Sequence, residues 1–188
     1  MAEDIRKLED QYDANERDAR LLVSGLSDKH GTWHAEAGSW SVAECLEHLA
    51  ITNRIYVETM RVPATQALKS GRRGTGRVSP GPFGRLMCYS LEPPIKPRLK
   101  GKAPAIIQPR ISVSLADAFS SFTTSQADLH AFVQEYADID LSGVLFANPF
   151  IKWLRLSLAS GLHVIAAHER RHLWQGWNVR RAAESQPE

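Results

Sequence analysis

The sequence contains little cysteine and no long uninterrupted apolar run. Its 188 residues include two cysteines, Cys45 and Cys88. Two cysteines without a paired framework exclude a disulfide scaffold and agree with a reducing compartment. The first residues, Met1 to Lys7, are charged and lead directly into a helical pattern, which predicts neither a signal peptide nor a membrane span. We therefore expect a cytoplasmic protein that does not enter a membrane.

Neither apolar nor charged residues are in excess. The chain is 43% hydrophobic and 23% charged, which is typical of a soluble globular protein rather than a disordered or fibrous one. A chain of 188 residues is long enough for one domain with a substantial core and short for two domains. We expect residues 1–188 to form a single domain.

Four stretches carry core positions at the three- and four-residue spacing of an amphipathic helix. They are Ile5 to Leu26, ending near Gly25 to Ser27; Ser41 to about Leu68; Leu115 to Tyr136; and Leu154 to Gln175. The second opens with Ser41-Val42-Ala43-Glu44, a capping-box pattern, and Pro63 favours a bend within it. Four such stripes predict an all-α fold, specifically a four-helix bundle.

Residues 168–172 spell His-Glu-Arg-Arg-His, the zinc-protease pattern in which two histidines bind zinc and the glutamate is the general base. The rest of the protease signature is missing. A metzincin requires glycine at position 175 and histidine at 178, where this chain has Gln175 and Asn178. The acidic residues that remain downstream are Glu184 and Glu188. Any third metal ligand is therefore expected upstream of His168.

The histidines of this motif lie on the interior stripe of the fourth helix. His168 and His172 continue the spacing of Gly161 and Ile165, whereas His163 lies about 140° away round the helix at about 100° per residue. Two interpretations are open for the pair. Each histidine could hydrogen-bond a neighbour and serve structure, or the two together could bind a transition metal.

The best third ligand is His48, about two turns into the second helix. It shares a stripe with Cys45 and Thr52, so it too can face the interior. Three neutral imidazoles from two helices would hold a zinc- or nickel-like ion and leave a coordination position open, which favours catalysis. Cys45 could add a sulfur ligand or fill a gap in the core. The remaining histidines are expected to be exposed and solvated: His30, His34 and His130.

Two segments carry a resemblance to a known family. Trp40-Ser41-Val42-Ala43-Glu44-Cys45-Leu46-Glu47-His48-Leu49, followed much later by Ala167-His168-Glu169-Arg170-Arg171-His172-Leu173-Trp174-Gln175, resembles the DinB/YfiT-like family. The resemblance covers most of the chain in helix order. It implies an up-down-down-up four-helix bundle, a three-histidine site for nickel or zinc, and a homodimer. Its ligands fall on His48, His168 and His172, the same three that the spacing selects.

The segment from about residue 70 to 110, the basic segment, departs from a minimal member of that family. Between Lys69 and Arg110 there are ten basic residues and one acid, Glu92, giving a net charge of +9, whereas the whole chain carries +2. Frequent proline and glycine predict an irregular connection between helices 2 and 3. It could be a solvated loop, or a lid or rim that attracts an anionic substrate. Its aromatic residues are too sparse to indicate nucleic-acid binding.

Polar residues around the three histidines could tune the site. Glu44, Thr52 and Gln175 are candidates to orient the imidazoles, and for Glu44 we favour the capping role. Glu169 lies about 100° from His168 round the helix. It is a candidate general base, with a salt bridge to a neighbouring helix as the alternative.

The function expected from these features is that of a metal-dependent enzyme. An open three-histidine site can activate water for hydrolysis, and the family resemblance adds a second chemistry, transfer reactions of low-molecular-weight thiols. We expect a small-molecule substrate that is anionic or is itself such a thiol. The alternative is a non-catalytic, metal-stabilised bundle whose basic segment binds an anionic ligand or partner.

Overall fold

The computed structural model describes residues 3–75, 77–94, 104–110, 112–151 and 153–185. Within them the chain is all-α apart from one short hairpin, as predicted. The elements are α1 (Glu3–Val23), α2 (Asp28–Gly31), α3 (Val42–Lys69), α4 (Pro82–Leu91), a 3-10 turn (Ala105–Ile107), α5 (Leu115–Glu135), β1 (Leu145–Ala147), β2 (Arg155–Ser157) and α6 (Leu158–Glu184). None of the helices in the described ranges is long and apolar enough to cross a membrane.

Serine residues begin three of the four long helices. Ser41, Ser114 and Ser157 precede α3, α5 and α6, and each hydroxyl accepts a hydrogen bond from the backbone N–H three residues later. This satisfies one of the amide groups that a helix start leaves without a partner. The capping box predicted at Ser41 is confirmed, since the Glu44 carboxylate accepts a hydrogen bond from the Ser41 N–H at 2.9 Å. α3 then continues through Pro63 to Lys69.

The four long helices pack in the pairs α1 with α5, α1 with α6, α3 with α5 and α3 with α6. They bury two apolar clusters. The first cluster takes one or more residues from each helix, including Leu8, Tyr56, Phe132 and Ile165. The second does the same, including Leu22, Leu46, Phe122 and Leu173. The chain therefore passes from the first cluster to the second along α1 and α6, and from the second to the first along α3 and α5.

The basic segment is more regular than predicted. Its residues 82–91 form α4, which packs on α6, and residues 105–107 form a 3-10 turn against α3. The expectation of an irregular connection is wrong for these residues, because the prolines flank α4 or occupy its first turn, where proline is tolerated. Gly84 lies so close to α6 that an added Cβ would fall 2.5 Å from the Ser160 hydroxyl. Four basic residues lie outside the described residues: Lys96, Arg98, Lys100 and Lys102.

A hairpin occupies the place where the fourth helix was expected to begin. Phe146 pairs with Leu156 in register, and Leu154 and Leu156 are both buried, which is the period of a strand rather than a helix. α6 therefore begins at Leu158 rather than Leu154, and it continues past Gln175 to Glu184.

The C-terminal end of α6 is tied to the end of α1. The guanidinium of Arg180 donates hydrogen bonds to the carbonyl groups of Leu21, Leu22 and Ser24. Leu21 and Leu22 belong to the last turn of α1, whose carbonyl groups lack partners further along the helix, and Ser24 follows the helix. α1 accordingly ends at Val23, slightly before the predicted boundary, and is followed by α2.

Candidate metal centre

Three histidines from two helices meet at one point of the core. His48 lies on α3, and His168 and His172 lie one turn apart on α6. One ring nitrogen from each can be chosen so that all three lie within 4.8 Å of one another. His48 and His172 are buried, and His168 is half-buried. The structure thus brings together the three residues that the sequence selects, and we call them the histidine cluster.

The spacing within the histidine cluster suits a metal ion. The Nε2 atoms of His48 and His168 are 3.3 Å apart. Two nitrogen ligands about 2.0–2.1 Å from one zinc ion, at a tetrahedral angle, would be separated by about 3.4 Å. The group could therefore hold a metal ion, and it is the only such group of histidine, cysteine and acidic side chains found in the described residues.

Two of the rings are oriented by oxygen atoms. The Nδ1 of His48 lies 2.6 Å from the backbone carbonyl of Ile107, and the Nδ1 of His172 lies 3.0 Å from the side-chain oxygen of Gln175. Because both oxygens only accept hydrogen bonds, both neutral rings carry their hydrogen on Nδ1. Their Nε2 lone pairs are therefore available to a cation, as in known metal-bound histidines.

The third ring differs from the other two. The Nδ1 of His168 is buried and has no hydrogen-bond partner among the described residues. Buried polar atoms without a partner are uncommon in native proteins, and such an atom often binds a ligand, an ion or water or has a functional role. Within the histidine cluster, the tautomer of His168 is therefore set by its imidazole neighbours rather than by a fixed oxygen.

Burial keeps the histidine cluster uncharged. It lowers the pKa of His48 from its ordinary value to about 4. Burial also lowers the pKa values of His168 and His172 well below the ordinary range. Repulsion from Arg171, and from a neighbouring histidine once it is protonated, lowers them further. Protons therefore compete weakly with a metal for these nitrogens near pH 7.

Trp40 forms one wall of the site. Its ring centroid is 4.6 Å from that of His48 and 5.6 Å from that of His172. The residue stands immediately before the cap of α3, so the helix start that orients His48 also places the indole. Sequence reasoning used Trp40 only as part of the family resemblance, because an aromatic residue before a cap has no spacing that marks it as a site residue.

The other predicted neighbours have different roles. The Thr52 hydroxyl donates to the backbone carbonyl of His48 rather than to its ring. Glu44 accepts from the Ser41 N–H and also lies 2.8 Å from His34. Cys45 is fully buried, and burial raises the pKa of its thiol, which agrees with a packing role.

Glu169 lies in a separate polar cluster. Its carboxylate accepts hydrogen bonds from Asn15 at 2.7 Å, Asn53 at 2.8 Å and Gln126 at 2.6 Å. These residues come from α1, α3 and α5, so all four long helices contribute to what we call the glutamate cluster. Burial raises the pKa of Glu169 to about 7. Within the described residues its partners are amides, and the salt bridge considered from the sequence is not formed.

The remaining histidines lie away from the site. His163 faces elsewhere, as predicted, and hydrogen-bonds the Val78 carbonyl at 2.9 Å. His34 is exposed. His130 was expected to be exposed as well, but this is wrong: it is half-buried, edge-on to Tyr12, with Asp13 3.2 Å away. The cause is that a residue next to the core position Leu129 is carried into the crevice between α5 and α1.

One of three comparisons with known proteins finds a match. No curated protein and no solved structure matches the chain. Residues 11–175 match the model of the DinB superfamily. The match includes α3, α5 and the part of α6 that carries His168 and His172, together with the residues that orient the rings. The chain therefore belongs to the DinB superfamily.

Proposed function

We propose that this protein is a metal-dependent enzyme that holds nickel or zinc with His48, His168 and His172. The observation that carries the proposal is the meeting of three uncharged imidazoles within 4.8 Å. Three protein nitrogens leave at least one coordination position for a substrate, which is the pattern of catalytic rather than structural sites.

The chain's own residues would prepare this centre. Ile107 and Gln175 hold the rings of His48 and His172 in the tautomer that leaves Nε2 free. Trp40 covers one side of both rings and limits the approach of water there. A divalent ion bound at this point would supply Lewis acidity toward water or toward a thiol.

The reaction we propose is hydrolysis or thiol-dependent transfer on a small molecule. Membership of the DinB superfamily supports a metal-centred chemistry, and the basic segment supports a substrate that is anionic, such as a carboxylate-bearing thiol. Glu169, the predicted general base, has no exposed surface and three amide donors on its carboxylate. Because a general base must reach the proton it removes, we propose instead that Glu169 holds α6 in position.

Metal content tests the proposal directly. Protein purified without an affinity tag, which could itself carry nickel, would be analysed by elemental mass spectrometry beside His48→Ala and His172→Ala. The matched control is His34→Ala, because His34 is exposed and outside the cluster. We expect near-stoichiometric zinc or nickel in the wild type and the control, and its loss from both cluster variants. A wild-type protein that neither carries nor takes up these ions would overturn the proposal.

A second candidate function is a non-catalytic bundle that metal stabilises and whose basic segment binds an anionic ligand. It is favoured by the contact of Ile107, a residue of that segment, with His48. The loaded protein would be tested against ester and amide substrates and against thiol cosubstrates. Metal-dependent turnover supports the enzyme. Its absence, together with a metal-dependent rise in melting temperature, supports the second candidate.

The proposal includes the arrangement and assembly of the chain. The order in which each helix passes the two apolar clusters supports an up-down-down-up four-helix bundle. We also propose a homodimer, which light scattering at several protein concentrations would test. A cytoplasmic location is supported by two cysteines that are both free.

A further inference from the structure

The basic segment reaches the histidine cluster through its last residues. The carbonyl of Ile107 accepts the hydrogen bond from His48, and the side chain of Ile107 is itself buried at 6% exposure. The two partners are 59 residues apart in the chain. Part of the site therefore depends on how firmly this stretch of backbone is held against α3.

A second contact holds the same stretch in place. The Nε of Arg110 donates to the Glu47 carboxylate at 2.6 Å. Glu47 precedes His48 in α3, and its side chain is almost fully buried, whereas the Arg110 side chain is largely exposed. The other oxygen of Glu47 is buried without a hydrogen-bond partner among the described residues. A buried carboxylate needs compensation, and Arg110 is the partner that supplies it.

Both contacts help to hold one backbone carbonyl, that of Ile107, against α3. A shift of residues 107–110 away from α3 would break the Arg110–Glu47 pair and remove the acceptor from His48 Nδ1. The His48 hydrogen would then be free to move to Nε2, the nitrogen that faces His168 at 3.3 Å. A protonated Nε2 cannot bind a metal, because its lone pair is used.

We propose that Arg110 is a positioning residue of the metal centre: by pairing with Glu47 it clamps the Ile107 carbonyl on His48 and fixes His48 in its metal-binding tautomer. This inference rests on the proposed metal function and adds a second element of the chain to it. Arg110 acts through Glu47 and the backbone of residues 107–110. Oxygen partners of metal-bound histidines commonly change metal affinity about 10- to 100-fold when they are lost.

The first test uses the wild-type protein in its metal-free form. Long-range nitrogen–proton correlation spectra distinguish the two neutral tautomers of a histidine. We expect His48 to carry its hydrogen on Nδ1, and in Arg110→Ala we expect a mixture of tautomers. A wild-type His48 with its hydrogen on Nε2, or an unchanged tautomer in Arg110→Ala, would overturn the inference. This readout needs no bound metal.

The second test measures zinc affinity by competition with a chromophoric chelator. We expect Arg110→Ala to bind zinc about 10- to 100-fold more weakly, and Arg110→Lys to recover part of the loss. Ile107→Ala removes the buried side chain that also holds this carbonyl in place, and it should likewise weaken zinc binding. It serves as the second variant if Arg110→Ala fails to fold.

The matched control is Arg61→Ala. Arg61 also pairs a guanidinium from one element with a carboxylate of another, Glu135, at 2.9 Å, but away from the histidines. We expect unchanged zinc affinity. If the wild type takes up neither zinc nor nickel, the proposed function fails, while the tautomer measurement still decides whether Arg110 sets the tautomer of His48. If the wild type binds zinc and Arg110→Ala binds it equally well, the inference fails and the proposed function stands.

Discussion

Two buried polar clusters lie side by side on α6, and they differ in which of their atoms have hydrogen-bond partners. In the glutamate cluster, three amide groups from three other helices donate to one carboxylate. In the histidine cluster, two imidazoles direct their hydrogens to Ile107 and Gln175, away from one another. The first cluster supplies donors to its carboxylate, although the side-chain oxygens of Asn53 and Gln126 have no hydrogen-bond partner among the described residues. The second leaves nitrogen lone pairs that a cation would satisfy.

The comparison shows why the His-Glu-Arg-Arg-His motif does not act here as it does in zinc proteases. Successive residues of a helix point about 100° apart, so the packing of α6 decides where each side chain goes. His168 and His172 face His48, while Glu169 enters the core between the two apolar clusters. The same five residues therefore contribute two histidines to a cluster that could hold a metal ion on one side of the helix, and a buried carboxylate that contacts three other helices on the other.

The largest effect is expected from breaking the glutamate cluster. Glu169→Ala would remove one acceptor from each of three buried amide groups, at about 1–3 kcal/mol for each lost partner, although Asn15 and Asn53 would each keep a second acceptor, at Ala166 and Ser125. We expect the free energy of unfolding of the metal-free protein to fall by about 3–5 kcal/mol, measured by urea denaturation. Glu135→Ala, which removes an exposed ion pair, should cost less than about 1 kcal/mol. Equal effects of the two changes would show that the glutamate cluster does not stabilise the fold.

Metal removal should act on the histidine cluster alone. A ligand present at about 100 times its Kd stabilises the folded state by about 2.7 kcal/mol. We expect a chelator to lower the melting temperature of the wild type and to leave that of His48→Ala unchanged. Glu169→Ala should have a low melting temperature with or without chelator. A chelator effect that survives in His48→Ala would place the metal elsewhere.

A smaller effect is expected from the side chain that orients His172. Gln175→Ala removes the oxygen 3.0 Å from Nδ1, so we expect zinc affinity to fall about 10-fold, or about 1.4 kcal/mol. Competition with a chelator measures the change. Asn178→Ala, less than one turn further along α6, is the control and should bind as the wild type does. Equal affinity in all three proteins would remove Gln175 from the site.

The smallest effect is expected from protonation of His48, which should lower the free energy of unfolding only below about pH 7. The folded pKa of His48 is about 4, below the ordinary value of 6.5. A neutral buried histidine therefore contributes stability that is present above about pH 6.5 and lost as the pH falls toward 4. Urea denaturation of the metal-free protein should show this decline, and it should be shallower in His48→Phe. An identical pH dependence in both proteins would contradict the assigned burial of His48.

Sequence reasoning located the parts of the fold and site that follow from local spacing. The start of α3 came from the Ser41 capping box, the start of α5 from an apolar stripe that opens at Leu115, and His48, His168 and His172 came from their positions on helical stripes. These features depend on residues three or four apart, so they can be read without knowing the fold.

The remaining features depend on contacts between residues far apart in the chain, which no repeating three- or four-residue spacing reveals. The hydrogen bond from His48 to the Ile107 carbonyl and the pair between Arg110 and Glu47 join residues 59 and 63 apart. A backbone carbonyl also has no sequence signature, since every residue carries one. α4 was missed because its prolines and glycines suggested a loop, although they flank or begin the helix. The surroundings of Glu169 required three amide residues from three different helices.

The distance along the chain between the halves of the histidine cluster has a consequence for biosynthesis. His48 and His168 are 120 residues apart. At about 5–20 residues per second, a ribosome adds His168 about 6–24 s after His48. During that interval the nascent chain presents a single imidazole where the finished protein has three. A metal ion therefore cannot guide the early folding of α3, and a chain that stops before α6 has one of the three ligands. A metal ion held by all three histidines could therefore bind only after α6 has been synthesised.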